Sequence, residues 1–377
     1  MSEYQYIEFR AIDGPVSKKD LAYMRRQSTR AEITPWSFTN EYTFGDFRGN
    51  AMEMLRRGYD VHLHYANFGI RSLYFRLPQG FPDIKAAKPY LDGESIRFLK
   101  DSSGDGGTLA IELCHEPGDL DELWDLDRAL ERLAPLRSEI LEGDLRSLYL
   151  AHLAISCDCN HDPEETIEAP VPAGLDQLTK AQQALATFYE ISDALIAAAA
   201  QEFAPLPSKV DRSEEHAEWI GRQTDTSKNK WLTELMDGSK PKLRAEILAR
   251  FSRDQPPQSW PTVKLDRTIA ELQTAAEEIQ HRMKKKAASQ AARKRAKKLA
   301  NMATDPAPYF QKTEQLVAER TTEAYGQVAQ LLVDLREALA ETGRSELAEL
   351  QAQKLKQMNP TLRHLTAALR RQGFVPK

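Results

Sequence analysis

Nine basic residues fall between positions 282 and 298: Arg282, Lys284, Lys285, Lys286, Arg293, Lys294, Arg295, Lys297 and Lys298, with no acid among them. Cations at that density engage polyanions, because neutralising phosphates releases the counterions condensed on them. No Trp, Tyr or Phe interrupts the run, so stacking on unpaired bases is not expected of it. Contacts would fall on the phosphate backbone and select weakly for sequence. The whole chain carries −5, so setting these nine aside leaves −14 on the remainder. The plainer alternative follows from that imbalance: a solvated helix face whose cations are offset by acidic helices of the same chain.

A second set of chemical groups sits in an aromatic, Thr-rich stretch that reads as extended chain broken at Pro35. Arg30, Glu32, Glu41, Asp46 and Arg48 are its charges. If they converge they form a groove suited to an enzyme; otherwise they are structural ion pairs. The chain has no GxSxG, no HExxH, no Walker A loop and no GxGxxG after a strand, so no catalytic residue is assigned. Cys157, Cys159 and His161, with His152 upstream, are the one metal-like pattern. Zinc needs four ligands and usually wider Cys spacing, so neither a metal nor a cofactor is expected. His62 and His64 share one side of a strand and read as polar groups on a wet face. The glycine-rich loop Ser102-Ser103-Gly104-Asp105-Gly106-Gly107 lacks the ending of a P-loop and reads as a hairpin turn.

The element that must present the basic run is a helix over 266–304. Asp266 or Thr268 suits its N-cap. Ile269, Leu272, Ala276, Ile279 and Met283 recur at helical spacing, and no Gly or Pro intervenes before Pro306. Beyond Met283 the stripe thins to alanines, so helicity there rests on the propensity of Ala, Lys, Arg and Gln. At 1.5 Å per residue the helix is about 55–60 Å long.

Around it the chain predicts an α+β protein. Residues 1–116 form a mainly antiparallel sheet with helices on one face, from hairpins at Asp60 to Leu77 and at Ile96 to Leu113. Residues 117–156 read as a helical extension. Residues 157–174, acidic and Pro-rich, read as a linker, and 175–262 as a helical domain. Residues 263–377 hold the long helix, a second long helix ending at Gly343, and two shorter ones. Apolar residues make up 41% and charged residues 28% of the 377, the balance of an ordinary globular chain. No apolar run approaches the ~20 residues that span a bilayer. Three cysteines argue against a disulfide framework, and the N-terminus lacks a secretory h-region. The expected setting is the cytoplasm.

The run YQYIEFRAID…STRAEITPWSFTNEY, together with APVPAGLDQL, LRAEILARF and AYGQVAQLLVDLREALAETGRSELAELQAQ, resembles a group of uncharacterised bacterial proteins with an α-helical C-terminal region. The resemblance implies a bacterial cytoplasmic protein and carries no catalytic residue with it. The expectation for function is a non-enzymatic scaffold or adaptor with a protein partner, its basic helix touching nucleic acid or an acidic surface. An enzyme with a charged site in the N-terminal domain is the alternative.

Overall fold

The computed structural model describes residues 3–43, 45–78, 84–101, 104, 106–114, 123, 125–157, 161–202, 213–238, 240, 243–255 and 260–376. The chain divides into two compact units, residues 1–280 and 281–377.

The first unit is built on strands β1 (Gln5–Arg10), β2 (Glu32–Ile33), β3 (Ser37–Tyr42), β4 (Val61–Ala66), β5 (Ile70–Pro78), β6 (Ile96–Lys100) and β7 (Gly106–Cys114). They form one sheet in the order β2-β3-β1-β4-β5-β7-β6, every pairing antiparallel. The residue alternation of a pleated strand sorts its side chains onto two faces. One face carries Val61, Leu63, Leu73, Phe75, Leu109 and Ile111. The other carries Ile7, Phe9 and Phe38, covered by Leu21 and Met24 of α1 (Lys18–Gln27) and Met54 and Leu55 of α2 (Ala51–Arg57). Helices therefore lie on both faces, not one. The α1 and α2 segments are the short connections of the sheet, and each returns an apolar stripe to it.

That double cover changes the reading of two strands. β1 is buried on both sides, so Glu8 is only 2% exposed; its carboxylate takes bonds from Arg10 Nε at 2.6 Å and Tyr6 Oη at 3.0 Å. Burial raises the pKa of Glu8 against the lowering pull of Arg10. His62 is not on a wet face. It stacks on Phe9 at 3.9 Å and its Nδ1–H donates to the Glu8 carbonyl at 3.0 Å.

Helices α3 (Ile84–Ala87), α4 (Ala129–Leu133), α5 (Leu136–Leu141), α6 (Arg146–Ser156), α7 (Lys180–Phe188) and α8 (Asp193–Ala199) follow. Leu130, Leu148, Leu153, Leu185 and Leu195 from these helices join the sheet in one core. The segments 1–116, 117–156 and 175–262 thus do not stand as separate bodies where they share it. Arginines stitch the layers: Arg71 is fully buried on β5 and donates to the Phe188 carbonyl at 2.6 Å and Glu190 at 2.5 Å. Arg137 on α5 forks onto Asp13 at 2.6 and 3.1 Å.

Of the segment 157–174, the described residues 161–174 are not a free linker either. Ala169, Val171 and Ala173 point inward and are buried. β8 (Val171–Pro172) pairs with β9 (Thr262–Val263), and Ile167 bridges Thr268. Pro170 and Pro172 are tolerated because this two-stranded ribbon demands few amide donors. Between these strands come α9 (Ser213–Arg222), α10 (Asp225–Met236) and α11 (Leu243–Asp254), joined through Trp219, Trp231 and Phe251.

Local caps decide several helix starts. At α7, Thr179 Oγ1 accepts from the Gln182 amide while Gln182 Oε1 accepts from the Thr179 amide, a reciprocal box that satisfies two otherwise unpaired donors. Thr179→Ala is expected to cost about 1 kcal/mol, read as a lower urea midpoint by tryptophan emission.

α12 (Ile269–Thr304) enters from the first unit, where Ile269, Leu272, Ala276 and Ile279 fill its core. Its start is a second reciprocal cap: the Glu271 amide donates to Thr268 Oγ1 at 3.2 Å and the Thr268 amide to Glu271 at 3.0 Å. The second unit is helical: α13 (Ala307–Ala318), α14 (Thr322–Ala340), α15 (Glu346–Met358) and α16 (Arg363–Arg371). Met302 of α12, Leu316, Val328, Leu332, Leu355 and Leu369 make its core. None of the described helices is long and apolar enough to cross a membrane.

Candidate nucleic-acid interface

The basic run occupies α12 within the second unit. Every residue from 280 to 298 is exposed, Met283 included. The apolar stripe predicted to reach Met283 therefore stops at Ile279. Contact with the second unit's core resumes at Leu299, Met302 and Ala303. Between those points every residue is exposed, and Ala, Lys, Arg and Gln sustain the helix through intrinsic propensity.

Two of the nine cations are engaged. Arg295 Nη2 pairs with Glu337 at 2.6 Å and approaches Asp334 at 3.8 Å; Lys298 Nζ pairs with Asp334 at 2.6 Å. Asp334 is 5% exposed and also accepts from Gln330. These bonds fix which side of α12 faces α14. Arg282, Lys284, Lys285, Lys286, Arg293, Lys294 and Lys297 make no ion pair among the described residues. Residues 281–377 hold 19 Lys and Arg against 9 Asp and Glu, a balance of +10. With −5 on the whole chain, residues 1–280 carry −15.

The N-terminal set does not converge. Arg30, Glu32, Glu41, Asp46 and Arg48 are all exposed, and none forms an ion pair among the described residues. Strand register puts Glu32 opposite Thr39, and Glu41 opposite Tyr6, on the Glu8 side of the sheet. Asp46 instead accepts from Gln5 at 2.9 Å, on the side of Ile7. Burial, helped by the Glu41 carboxylate, raises Tyr4 to about 12. Arg30 and Arg48 pair with neither group of acids among the described residues.

Of the metal-like residues, His152 is engaged and Cys157 is buried, while His161 Nδ1 is buried without a hydrogen-bond partner among the described residues. His152 Nε2 accepts from the Ala169 amide at 3.1 Å, and burial depresses the imidazole to about 4. Burial pushes the Cys157 thiol up, away from the thiolate a metal requires. His64 Nε2–H donates to Gln5 Oε1 at 3.0 Å, the Gln5 amide donating onward to Asp46. Cys159, Ser102, Ser103 and Asp105 lie outside the described residues. No cluster of three or more His, Cys, Asp or Glu suited to a metal occurs among those described. A groove of about 670 Å³ between α7 and α8 is lined by Leu175, Leu178, Ile191 and Ile196 with Asp176 and Asp193.

Sequence reasoning passed over the buried polar groups Glu8, Arg71, Arg137 and Glu168. Arg71 left a signal: on β5 it alternates in phase with the core residues Leu73, Phe75 and Leu77. A cation at a core-facing strand position demands dedicated acceptors. A second exposed surface is apolar: Leu232, Leu235 and Met236 lie on one side of α10 at helical spacing, 57%, 70% and 86% exposed. Comparison with family models, curated proteins and solved structures gives no match to this chain.

Proposed function

We propose that the protein is a non-enzymatic adaptor of the bacterial cytoplasm that holds a nucleic acid through α12 and a protein partner through its remaining surface. The observation that carries this reading is the set of seven exposed cations on α12 that make no ion pair among the described residues. A helix kept out of any core gains nothing from burial, so its charge is available for association. The exposed Leu232, Leu235 and Met236 supply an apolar surface of the kind protein partners cover.

The test is retention of the full chain on immobilised DNA and RNA. Wild type is expected to bind with an affinity that falls with salt, with a log–log slope no steeper than about −6 if all seven free cations meet phosphate. Changing Lys284, Lys285, Arg293 and Lys294 together to Glu is expected to abolish retention while leaving far-UV ellipticity intact, since none of the four is buried or paired. Wild type that shows no salt-dependent retention on either polymer overturns the reading.

A further inference from the structure

We infer that the polymer is duplex DNA, entered through the major groove, with Ser289 and Gln290 facing base edges; this rests on the nucleic-acid reading above. Charge is distributed along α12 in two blocks. Four cations lie at 282–286 and five at 293–298, separated by the neutral segment Ala287, Ala288, Ser289, Gln290, Ala291 and Ala292. A straight helix laid in a groove is deepest at its middle and crosses the two phosphate walls at its ends. Small, uncharged residues in the middle permit close approach to the floor. Cations at both ends meet phosphate.

The azimuths agree. At about 100° per residue, Arg282, Lys286, Arg293 and Lys297 fall within about 60° of one another, with Ser289 and Gln290 flanking their common line. That line lies about 140° from the side that Leu299, Met302 and Ala303 turn to the core. The cations engaged by α14, Arg295 and Lys298, are off this line, and the four on it are free. A helix is about 10–12 Å across, matched to a B-form major groove about 12 Å wide. The A-form major groove is too narrow to admit it. Single strands are the weaker candidate because the segment has no aromatic platform. Gln reads adenine N6 and N7, and Ser bonds to either type of base edge. A flexible polyanion would gain nothing from a six-residue neutral gap.

The experiment measures fluorescence anisotropy of the full chain with a labelled mixed-sequence DNA duplex, the same sequence as RNA duplex, its single strand, and heparin. A fifth probe is the DNA duplex built with 7-deazapurines, which keeps every phosphate and removes the N7 acceptors. The DNA duplex is expected to bind about tenfold tighter than the RNA duplex and the single strand, and about tenfold tighter than its 7-deaza form. S289A/Q290A, which touches no packed residue, is expected to erase the 7-deaza difference while keeping the salt dependence. Equal binding of DNA duplex, RNA duplex and heparin would leave the polyanion reading standing and overturn the groove assignment. Equal binding of the natural and 7-deaza duplexes overturns the base-edge contact. Binding to none of the probes removes both readings together.

Discussion

Urea unfolding of the N-terminal unit is expected to need less denaturant at each step as the pH is lowered from 7 toward 5. Three imidazoles are held neutral by burial: His62, depressed to about 3, His152, depressed to about 4, and His64, also lowered. Their unfolded counterparts protonate near 6.5. A folded pKa below the unfolded value means the unfolded chain takes up the extra proton. The stabilisation is therefore whole above about pH 6.5 and is lost as the pH falls toward the folded values. Two buried carboxyls work against this. Burial raises Glu8 and Glu139, so their folded forms bind protons more readily, and they gain stability as pH falls through their raised values. The two strongly depressed rings, His62 and His152, set the sign, and stability falls as the pH is lowered from 7 toward 5.

Tryptophan emission reports this cleanly, because Trp36, Trp124, Trp219, Trp231 and Trp260 all precede residue 281. H62Q combined with H152Q is expected to flatten the profile at some cost at neutral pH. A urea midpoint unchanged between pH 7 and pH 5 would contradict the burial of these rings.

Arg267→Ala is expected to lower the stability of the same unit by about 3–5 kcal/mol, the cost of stripping a buried charge of its partner. The Glu168 carboxylate has no exposed side-chain surface. It takes bonds from Arg267 Nε at 2.8 Å and Nη2 at 3.0 Å, and from the Tyr149 hydroxyl. The backbone adds to this clamp: the Glu168 amide donates to the Arg267 carbonyl at 2.9 Å and the Ile269 amide to the Thr166 carbonyl at 2.9 Å. The clamp sits one turn before the core residues that begin α12. Losing the guanidinium leaves a carboxylate with a single neutral donor in an apolar surround. Removing both charges, as E168L with R267M, is expected to be milder than R267A alone, since two apolar groups of similar volume carry no desolvation penalty. Urea midpoints of R267A and of the E168L/R267M double variant decide it; a double variant at least as damaged as R267A would contradict the role given to the unpaired carboxylate.

Strong local periodicity makes an element legible in the amino-acid sequence alone. The α12 helix appears at 269–304 against 266–304 from spacing, because propensity, capping and the absence of breakers all agree. The two hairpins and the antiparallel order followed from alternation and turn residues. The burial of His62 was not legible, because the ring it stacks on and the carbonyl it bonds, Phe9 and Glu8, come from β1, far back in the sequence. The segment 157–174 misled for a related reason. Its prolines and acids advertise a linker, whereas Ala169, Val171 and Ala173 reveal an inward side only once β9, some ninety residues later, lies beside it. The exposure of Arg282, Lys284, Lys285, Lys286, Arg293, Lys294 and Lys297 could be asked of the sequence but not answered by it. The answer depends on what packs against each side of the helix.

The naked stretch of α12 places an uneven demand on the gene that encodes it. Every residue of 281–298 is exposed, so away from Arg295 and Lys298, which pair with α14, and from Ser289 and Gln290, single replacements there can drift as long as helicity and charge survive. Gain or loss of one codon is another matter. It would turn everything on one side of the change by about 100° relative to the other, separating Arg282 and Lys286 from the line of Arg293 and Lys297. Inheritance can thus be loose about letters in this stretch and strict about their number.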